Sequence, residues 1–210
     1  SGVSTGYTLL PDGSVENAND VHMWSYFKIA EVGELELISA TIDDSRRWVV
    51  AVAEYNDSAG GTWGVDETAS STGSSATGST GTTATTTRAD EVWVGFILNK
   101  DIDAQSAPTN GFTQRETLNS GSGGSGCRGA LYDKIVAATG AAGTACTIAA
   151  SRAWAGGIYT FYSLSIAPEQ LRVQRAIQNR LSRVRRLPRS RLLPPAVVLI
   201  VPYPANTVPP

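Results

Sequence analysis

The sequence contains little of what most active sites are made from. Its 210 residues include one histidine, His22, and only two cysteines, Cys127 and Cys146. No Cys-x-x-Cys or His-x-x-x-His spacing occurs, so a zinc site would have to recruit both cysteines and an acid. A Gly-x-Ser-x-Gly nucleophile elbow and a phosphate-binding loop are also missing. These absences predict a protein that is not an enzyme and that has no metal ion or other cofactor.

Long apolar runs are missing too. The longest runs, residues 196–201 among them, have six residues, whereas a membrane span requires roughly 18, so no membrane partner is expected. The first residues have no basic cluster followed by an apolar run, so no retained secretory signal is expected either. A disulfide between Cys127 and Cys146 would add about 3 kcal/mol of stability. Two separate buried thiols are an equally good interpretation of the same pair.

What the chain does have is an internal repeat. A shift of 106 positions superposes eight identical residues without a gap, which indicates a duplicated structural unit. The counterpart of residues 91–98 would fall before residue 1, so we expect the two copies to share one sandwich rather than to form two domains. The superposed identities are Tyr26 and Tyr132, Lys28 and Lys134, Ile29 and Ile135, Thr41 and Thr147, Ile42 and Ile148, Ser45 and Ser151, Arg46 and Arg152, and Trp48 and Trp154.

The local patterns are those of β-strands. Alternating apolar residues predict strands at residues 21–30, 34–42 and 112–118. Residues 46–55 and 91–98 are apolar on both faces, which predicts two strands in the middle of a sheet, covered on both sides. The low share of charged residues, 17%, is typical of β proteins rich in turns.

Two further features belong to this β region. Residues 68–87 contain only Thr, Ser, Ala and Gly, and nine of these twenty residues are Thr, a strand former. We therefore predict that part of the run is a polar-faced edge strand rather than a flexible linker. Trp48, Trp93 and Trp154 lie among apolar neighbours and are predicted to be structural core residues.

The C-terminal arm, residues 167–210, has a different character. Pro168 and the acid after it begin a predicted helix with one apolar stripe, and Pro188 ends it. Residues 196–201 are bounded by prolines, which predicts an edge strand added to the sheet of a neighbouring copy and excludes a central strand. The alternative is that the arm folds back on its own sandwich. The predicted partner-binding residues of the arm are Arg172, Val173, Arg175, Ile177, Arg180, Leu181, Arg183, Val184, Val197, Leu199 and Val201.

The arm is also basic, whereas the body is acidic. Residues 168–191 contain eight arginines and one acid, and the rest of the chain carries 9 basic and 18 acidic side chains. Nucleic-acid binding through released counterions is one interpretation of such a segment. Its arginines alternate with apolar residues, however, and no aromatic residue for base stacking lies among them. We therefore predict docking to protein rather than to nucleic acid.

Two weaker patterns remain. Asp101 and Asp103, with Asn99, form only part of a calcium loop, because the remaining ligands and the terminal Glu are missing. Trp63 and Trp93 would allow a glycan-binding surface if their indoles were exposed, since sugars stack on such rings, although Trp is more often a core residue.

Four stretches resemble one known group of proteins. They are Ala-Asp-Glu-Val-Trp-Val-Gly at 89–95, Gly-Phe-Thr-Gln-Arg at 111–115, Leu-Tyr-Asp-Lys-Ile-Val-Ala-Ala at 131–138 and Ala-Ala-Ser-Arg-Ala-Trp-Ala at 149–155. In this order they resemble the repeated β-sandwich virion structural proteins of tailed bacteriophages, of the head decoration or minor tail type. The resemblance covers about residues 26–162 and does not extend to the C-terminal arm. It implies an assembly function on the head or on the tail.

The sequence as a whole predicts an all-β fold, a jelly-roll-like β-sandwich built from a duplicated strand unit, with a C-terminal helix and an extended Pro-rich arm. Residues 1–20 are expected to be an N-terminal arm or edge strand, residues 21–166 the sandwich, and residues 167–210 the arm. The expected function is that of a non-enzymatic phage virion protein, assembled in the host cytoplasm, that decorates or cements the capsid. The expected partners are other copies of the chain and major capsid or tail proteins. The alternative is a tail or adsorption protein that binds host glycan.

Overall fold

The computed structural model describes residues 2–3, 6–18, 21–30, 38–41, 47–57, 61–122, 126–164 and 196–203. These residues form eleven strands and no helix. The helix predicted from Pro168 lies outside the described residues. The strands are β1 (Gly2–Val3), β2 (Thr8–Asn17), β3 (Val21–Ile29), β4 (Ala40–Thr41), β5 (Ala51–Tyr55), β6 (Thr62–Ser79), β7 (Glu91–Lys100), β8 (Thr113–Ser120), β9 (Cys127–Val136), β10 (Ala145–Leu164) and β11 (Ala196–Tyr203).

Two antiparallel sheets pack face to face. One has five strands in the order β6-β10-β7-β9-β8, and the other has four in the order β2-β3-β11-β5. Strands β1 and β4 form a separate two-stranded ladder. The expectation of an all-β protein with sandwich-like packing is confirmed.

Strand β7 lies at the centre of the five-stranded sheet and is buried on both faces, as its sequence predicts. Alternate residues point in opposite directions along a strand. Val94 and Phe96 therefore join the core between the two sheets, whereas Trp93 and Ile97 join a second core on the other face. Phe112 and other residues outside the strands cover that second core. The five-stranded sheet is thus a middle layer.

A ladder of threonines holds part of this covering layer in place. Three buried threonines, spaced three residues apart, each donate a backbone N–H to a carbonyl of residues 140–144. Each also accepts, on its hydroxyl oxygen, the backbone N–H of that same partner residue. The side chain therefore takes the place of a backbone carbonyl. The pairs are Thr80 with Thr144, Thr83 with Ala142, and Thr86 with Gly140.

Strand β6 confirms the prediction of an edge strand within the Thr/Ser/Ala/Gly run. Among the strands that the structure describes, it pairs only with β10, and it has exposed residues along much of its length. At Gly73 an added Cβ would lie 2.5 Å from Cζ2 of Trp154, so glycine is required where the indole crosses this strand. The indole Nε1 donates a hydrogen bond of 3.1 Å to Oγ of Ser75.

The strand predicted at residues 46–55 is only partly formed, and the prediction that it lies mid-sheet is wrong. Residues 47–50 have no regular structure, and in the described part of the chain β5 is an edge strand with β11 as its one neighbour. Trp48 precedes the paired part of the strand and is 43% exposed, so it is not the buried equivalent of Trp154. Trp93 and Trp154, each 6% exposed, are core residues as predicted.

Residues 196–201 were expected to be an edge strand on a neighbour, but β11 lies inside a sheet of its own chain. It is antiparallel to β3 on one side and to β5 on the other. The prolines permit this because Pro202 lies beyond Ile200, the last residue that pairs with β5. At Pro202, among the described strands, β3 alone runs alongside, so the missing N–H interrupts no ladder with β5.

The two cysteines are free thiols, and a disulfide between them is excluded by the packing. Cys127 belongs to the core between the two sheets. Cys146 belongs to the core on the opposite face of the five-stranded sheet. The interpretation as two separate buried thiols is confirmed.

Candidate functional site

The strongest candidate for a functional site is the acceptor slot, the space between β3 and β5 that β11 fills. Strands β3 and β5 do not pair with each other, so β11 joins them into one sheet. Among the predicted arm residues, Val197 lies opposite Lys28 and Glu54 in the ladder. Leu199 is likewise paired on both sides, whereas Val201 pairs with β3 alone. The predicted arm residues between Arg172 and Val184 lie outside the described residues.

Strand β5 also borders a cleft on its other side. The cleft has a volume of about 410 Å³ and lies between β5 and β8, one edge strand from each sheet. Its apolar wall includes Val52, Leu118 and Leu131, and its polar residues include Glu54 and Glu116. Edge strands present unpaired backbone N–H and C=O groups, so the cleft offers such groups to a ligand as well as to solvent.

Three polar side chains meet in this cleft. Asp133, which is 4% exposed, accepts a hydrogen bond of 3.0 Å from the Tyr55 hydroxyl and one of 2.6 Å from Nε of Arg115. Burial, followed by the charge of Asp133, raises the pKa of Tyr55, so the phenol remains a donor. The hydrogen bond to Asp133 raises the pKa of Arg115. The trio links β5 of one sheet to β8 and β9 of the other.

A second acidic group lies at the start of β7. Glu91 is 2% exposed, and its Oε2 accepts a hydrogen bond of 2.8 Å from Nε1 of Trp93. Burial raises the pKa of Glu91 to about 7, and Asp66 nearby adds to the rise. Asp66 accepts two hydrogen bonds of 2.6 Å from Thr87, which help to hold its pKa below the usual value. Glu91 is thus protonated more readily than an ordinary carboxyl group.

The partial calcium loop at Asp101 and Asp103 is occupied by a side chain. Nε of Arg152 lies 2.9 Å from Asp101 and 2.5 Å from Asp103. The guanidinium supplies the positive charge that a calcium ion would otherwise supply. In the part of the chain that the structure describes, no group of three or more His, Cys, Asp or Glu residues could hold a metal ion.

His22 lies on the outer side of this architecture, in β3. Its ring stacks on Trp24 with 3.7 Å between centroids, and its Nε2 lies 3.1 Å from Oγ of Ser14 on the neighbouring strand. Partial burial lowers the pKa of His22, against the opposing effect of Glu16. The imidazole is therefore mostly neutral near neutral pH and serves as a cross-strand contact.

The indoles considered for glycan stacking are not exposed platforms. Trp93 is buried and hydrogen-bonded. Trp63 is half-buried and packs against the core between the sheets. Any glycan contact would therefore have to use other residues.

Sequence reasoning missed both polar sites. Tyr55 and Asp133 are separated by 78 positions and Arg115 and Asp133 by 18, so no local motif connects them. The threonine ladder could have been found, since Thr80, Thr83 and Thr86 recur every three residues.

Comparison with known proteins adds no family to this description. No protein-family model, no curated protein and no solved structure matches the chain. The described residues contain no helix long and apolar enough to cross a membrane.

Proposed function

We propose that the chain is a non-enzymatic structural protein of a bacteriophage virion that decorates or cements the capsid and docks through its C-terminal arm. The observation that carries this proposal is the position of β11. A strand from the arm lies between β3 and β5 and joins them into one sheet. Assembly proteins commonly use such a strand as their connecting element.

The proposal includes a jelly-roll-like sandwich made from a duplicated unit, followed by a helix and an extended segment. Support comes from the positions of the strands under the shift of 106. Strand β3, Val21–Ile29, shifts onto residues 127–135, and β9 is Cys127–Val136. Strand β5 shifts onto residues 157–161, which lie within β10. In both copies, therefore, similar segments form strands.

Charge supports docking through the arm. Residues 168–191 contain eight arginines, whereas the rest of the chain carries twice as many acidic as basic side chains, 18 against 9. Attraction between exposed charges weakens with added salt, whereas pairing between strands does not depend strongly on it. Docking that uses both should thus be reduced by salt but not abolished.

The test is co-sedimentation of the purified chain with empty capsids. The chain should pellet with capsids, and replacing Arg172, Arg175 and Arg180 by Gln should weaken this binding most at low salt. A control with Arg47→Gln changes an exposed cation of the body instead and should bind normally. If the unaltered chain does not pellet with capsids, the proposal is wrong.

A tail or adsorption function with glycan binding is the second candidate, favoured by the cleft. Its trio of Tyr55, Asp133 and Arg115 beside apolar residues suits a sugar, which needs hydrogen bonds and a nonpolar face. Glycan-array binding that is lost in Arg115→Ala, but kept in Arg88→Ala, would support this function. No array signal from the unaltered chain would remove it.

A further inference from the structure

Strand β11 occupies the place in its sheet that β7 occupies in the other sheet. Strand β7 lies between β9 and β10 and is antiparallel to both. Strand β11 lies between β3 and β5 and is antiparallel to both. Since the shift of 106 relates β3 to β9 and β5 to residues of β10, the acceptor slot is the counterpart of the place that β7 fills.

On the β3 side, the register of β11 on β3 matches that of β7 on β9. Leu199 lies opposite Tyr26. The repeat counterpart of Tyr26 is Tyr132, which lies opposite Gly95. Each neighbouring pair follows in step, because β3–β11 and β7–β9 are continuous antiparallel ladders without a register shift. Residues 196–203 therefore align with residues 92–99.

The register on the β5 side gives the same alignment independently. Leu199 lies opposite Val52. The repeat counterpart of Val52 is Ile158, which again lies opposite Gly95. A slip of one residue on either side would have broken the agreement, since it exchanges the two faces of a strand.

Strand β11 nevertheless belongs to neither copy of the repeat. Its offset from β7 is 104 positions rather than 106, and only Val198 matches its aligned residue, Val94. The segment lies after both copies and is joined to β10 through the 31 residues 165–195. What fits the slot is an apolar segment of suitable length and register, not a particular repeat sequence.

We propose that the slot between β3 and β5 is an acceptor site for a single strand, and that in the assembled state a second copy of this chain supplies residues 196–203 to it. This rests on the proposed assembly function and names its partner. The backbone ladder is identical whether the strand comes from the same chain or from another, so exchange costs little beyond the connection.

Reach and charge both allow a second copy to be the donor. At about 3.3 Å per residue, a connection of 31 residues can span up to about 100 Å, far more than the width of a neighbouring sandwich. The same connection carries the arginines at residues 168–191, and a second copy offers an acidic body to them.

Cysteine pairs placed across the ladder test the exchange. One chain carries Ala53→Cys and another Val198→Cys, which lie opposite each other in the register. The two chains are unfolded, refolded together at high concentration and oxidised. Exchange should give a disulfide-linked mixed dimer, and random mixing limits it to about half of all dimers. Refolding either chain alone should give no such dimer.

Two controls separate register and folding effects. Ala53→Cys mixed with Ile200→Cys is out of register, because Ile200 lies opposite Ala51, and should give much less dimer. Val52→Cys mixed with Leu199→Cys is a second in-register pair and should repeat the result if either first variant folds poorly. The chain without added cysteines should give none, since both native thiols are buried.

The contrary result is an internal disulfide in the chain that carries both Ala53→Cys and Val198→Cys, with no mixed dimer from either in-register pair. That outcome would overturn the exchange while leaving capsid binding intact. Mixed dimers from a chain that does not pellet with virion parts would instead support the exchange and contradict the proposed function.

Discussion

Replacing Trp154 by Ala should cost far more stability than replacing Trp48, although the repeat superposes the two residues. The indole of Trp154 is buried in the core beneath the covering layer, crosses strand β6 at Gly73 and donates a hydrogen bond to Ser75. Trp48 is 43% exposed and precedes its strand. The two substitutions have identical chemistry, so each is the control for the other.

The magnitudes follow from these environments. Removing a buried large aromatic side chain costs about 3–5 kcal/mol, because the cavity it leaves closes only partly. The hydrogen bond to Ser75 contributes about 1 kcal/mol of this. Trp48→Ala removes a side chain that keeps much of its contact with water, so we expect a loss of about 1 kcal/mol or less.

The assay is urea unfolding followed by far-ultraviolet circular dichroism, which does not depend on the tryptophans themselves. Equal slopes with separate midpoints would show that only stability has changed. Iodide should quench Trp48 but not Trp154 in the folded protein. If both variants lose the same free energy of unfolding, or Trp154→Ala loses less than Trp48→Ala, the described packing is wrong.

Three further predictions concern buried polar groups. Burial raises the pKa of Glu91 to about 7, above the pKa of the same carboxyl group in the unfolded chain. The protonated form therefore stabilises the fold fully below the unfolded pKa, and this stability is lost as pH rises through about 7. Glu91→Gln should remove this decline in urea midpoints between pH 5 and pH 8, and an unchanged decline would assign it to another group. Thr83→Val leaves the buried N–H of Ala142 without its acceptor and should cost about 1–3 kcal/mol, whereas Thr83→Ser should cost much less. Cys127 and Cys146 should resist a thiol reagent in the folded protein and react in urea, and a disulfide in the purified protein would contradict their separation.

The part of the fold that can be predicted from the sequence is the part governed by local pattern. Strand β7 was predicted because both of its faces are apolar, and it is covered on both sides. The edge strand β6 was predicted from its threonines against a composition that otherwise indicates a linker. The burial of Trp154 was predicted from the apolar residues around it, and its strand, β10, lies between β6 and β7.

The remaining features depend on neighbours that the sequence does not name. Trp48 has the same local motif as Trp154, yet its strand lies at an edge and begins only after it. For residues 196–201, the flanking prolines argue against a central strand. The cost of Pro202 depends, however, on whether a second strand lies beside it, and the pairing with β5 stops at Ile200. The trio around Asp133 comes from three strands and has no sequence signal.

The most direct test of the account is hydrogen–deuterium exchange of the backbone amides of residues 196–200 in the intact chain. These residues pair with β3 and β5 at once, so their amides should exchange as slowly as those of β3, whichever copy supplies the strand. Val198→Pro, which removes one ladder donor, should increase exchange in β5 as well. Exchange of residues 196–200 at the rate of an unstructured peptide would contradict the slot, and with it the role of the arm.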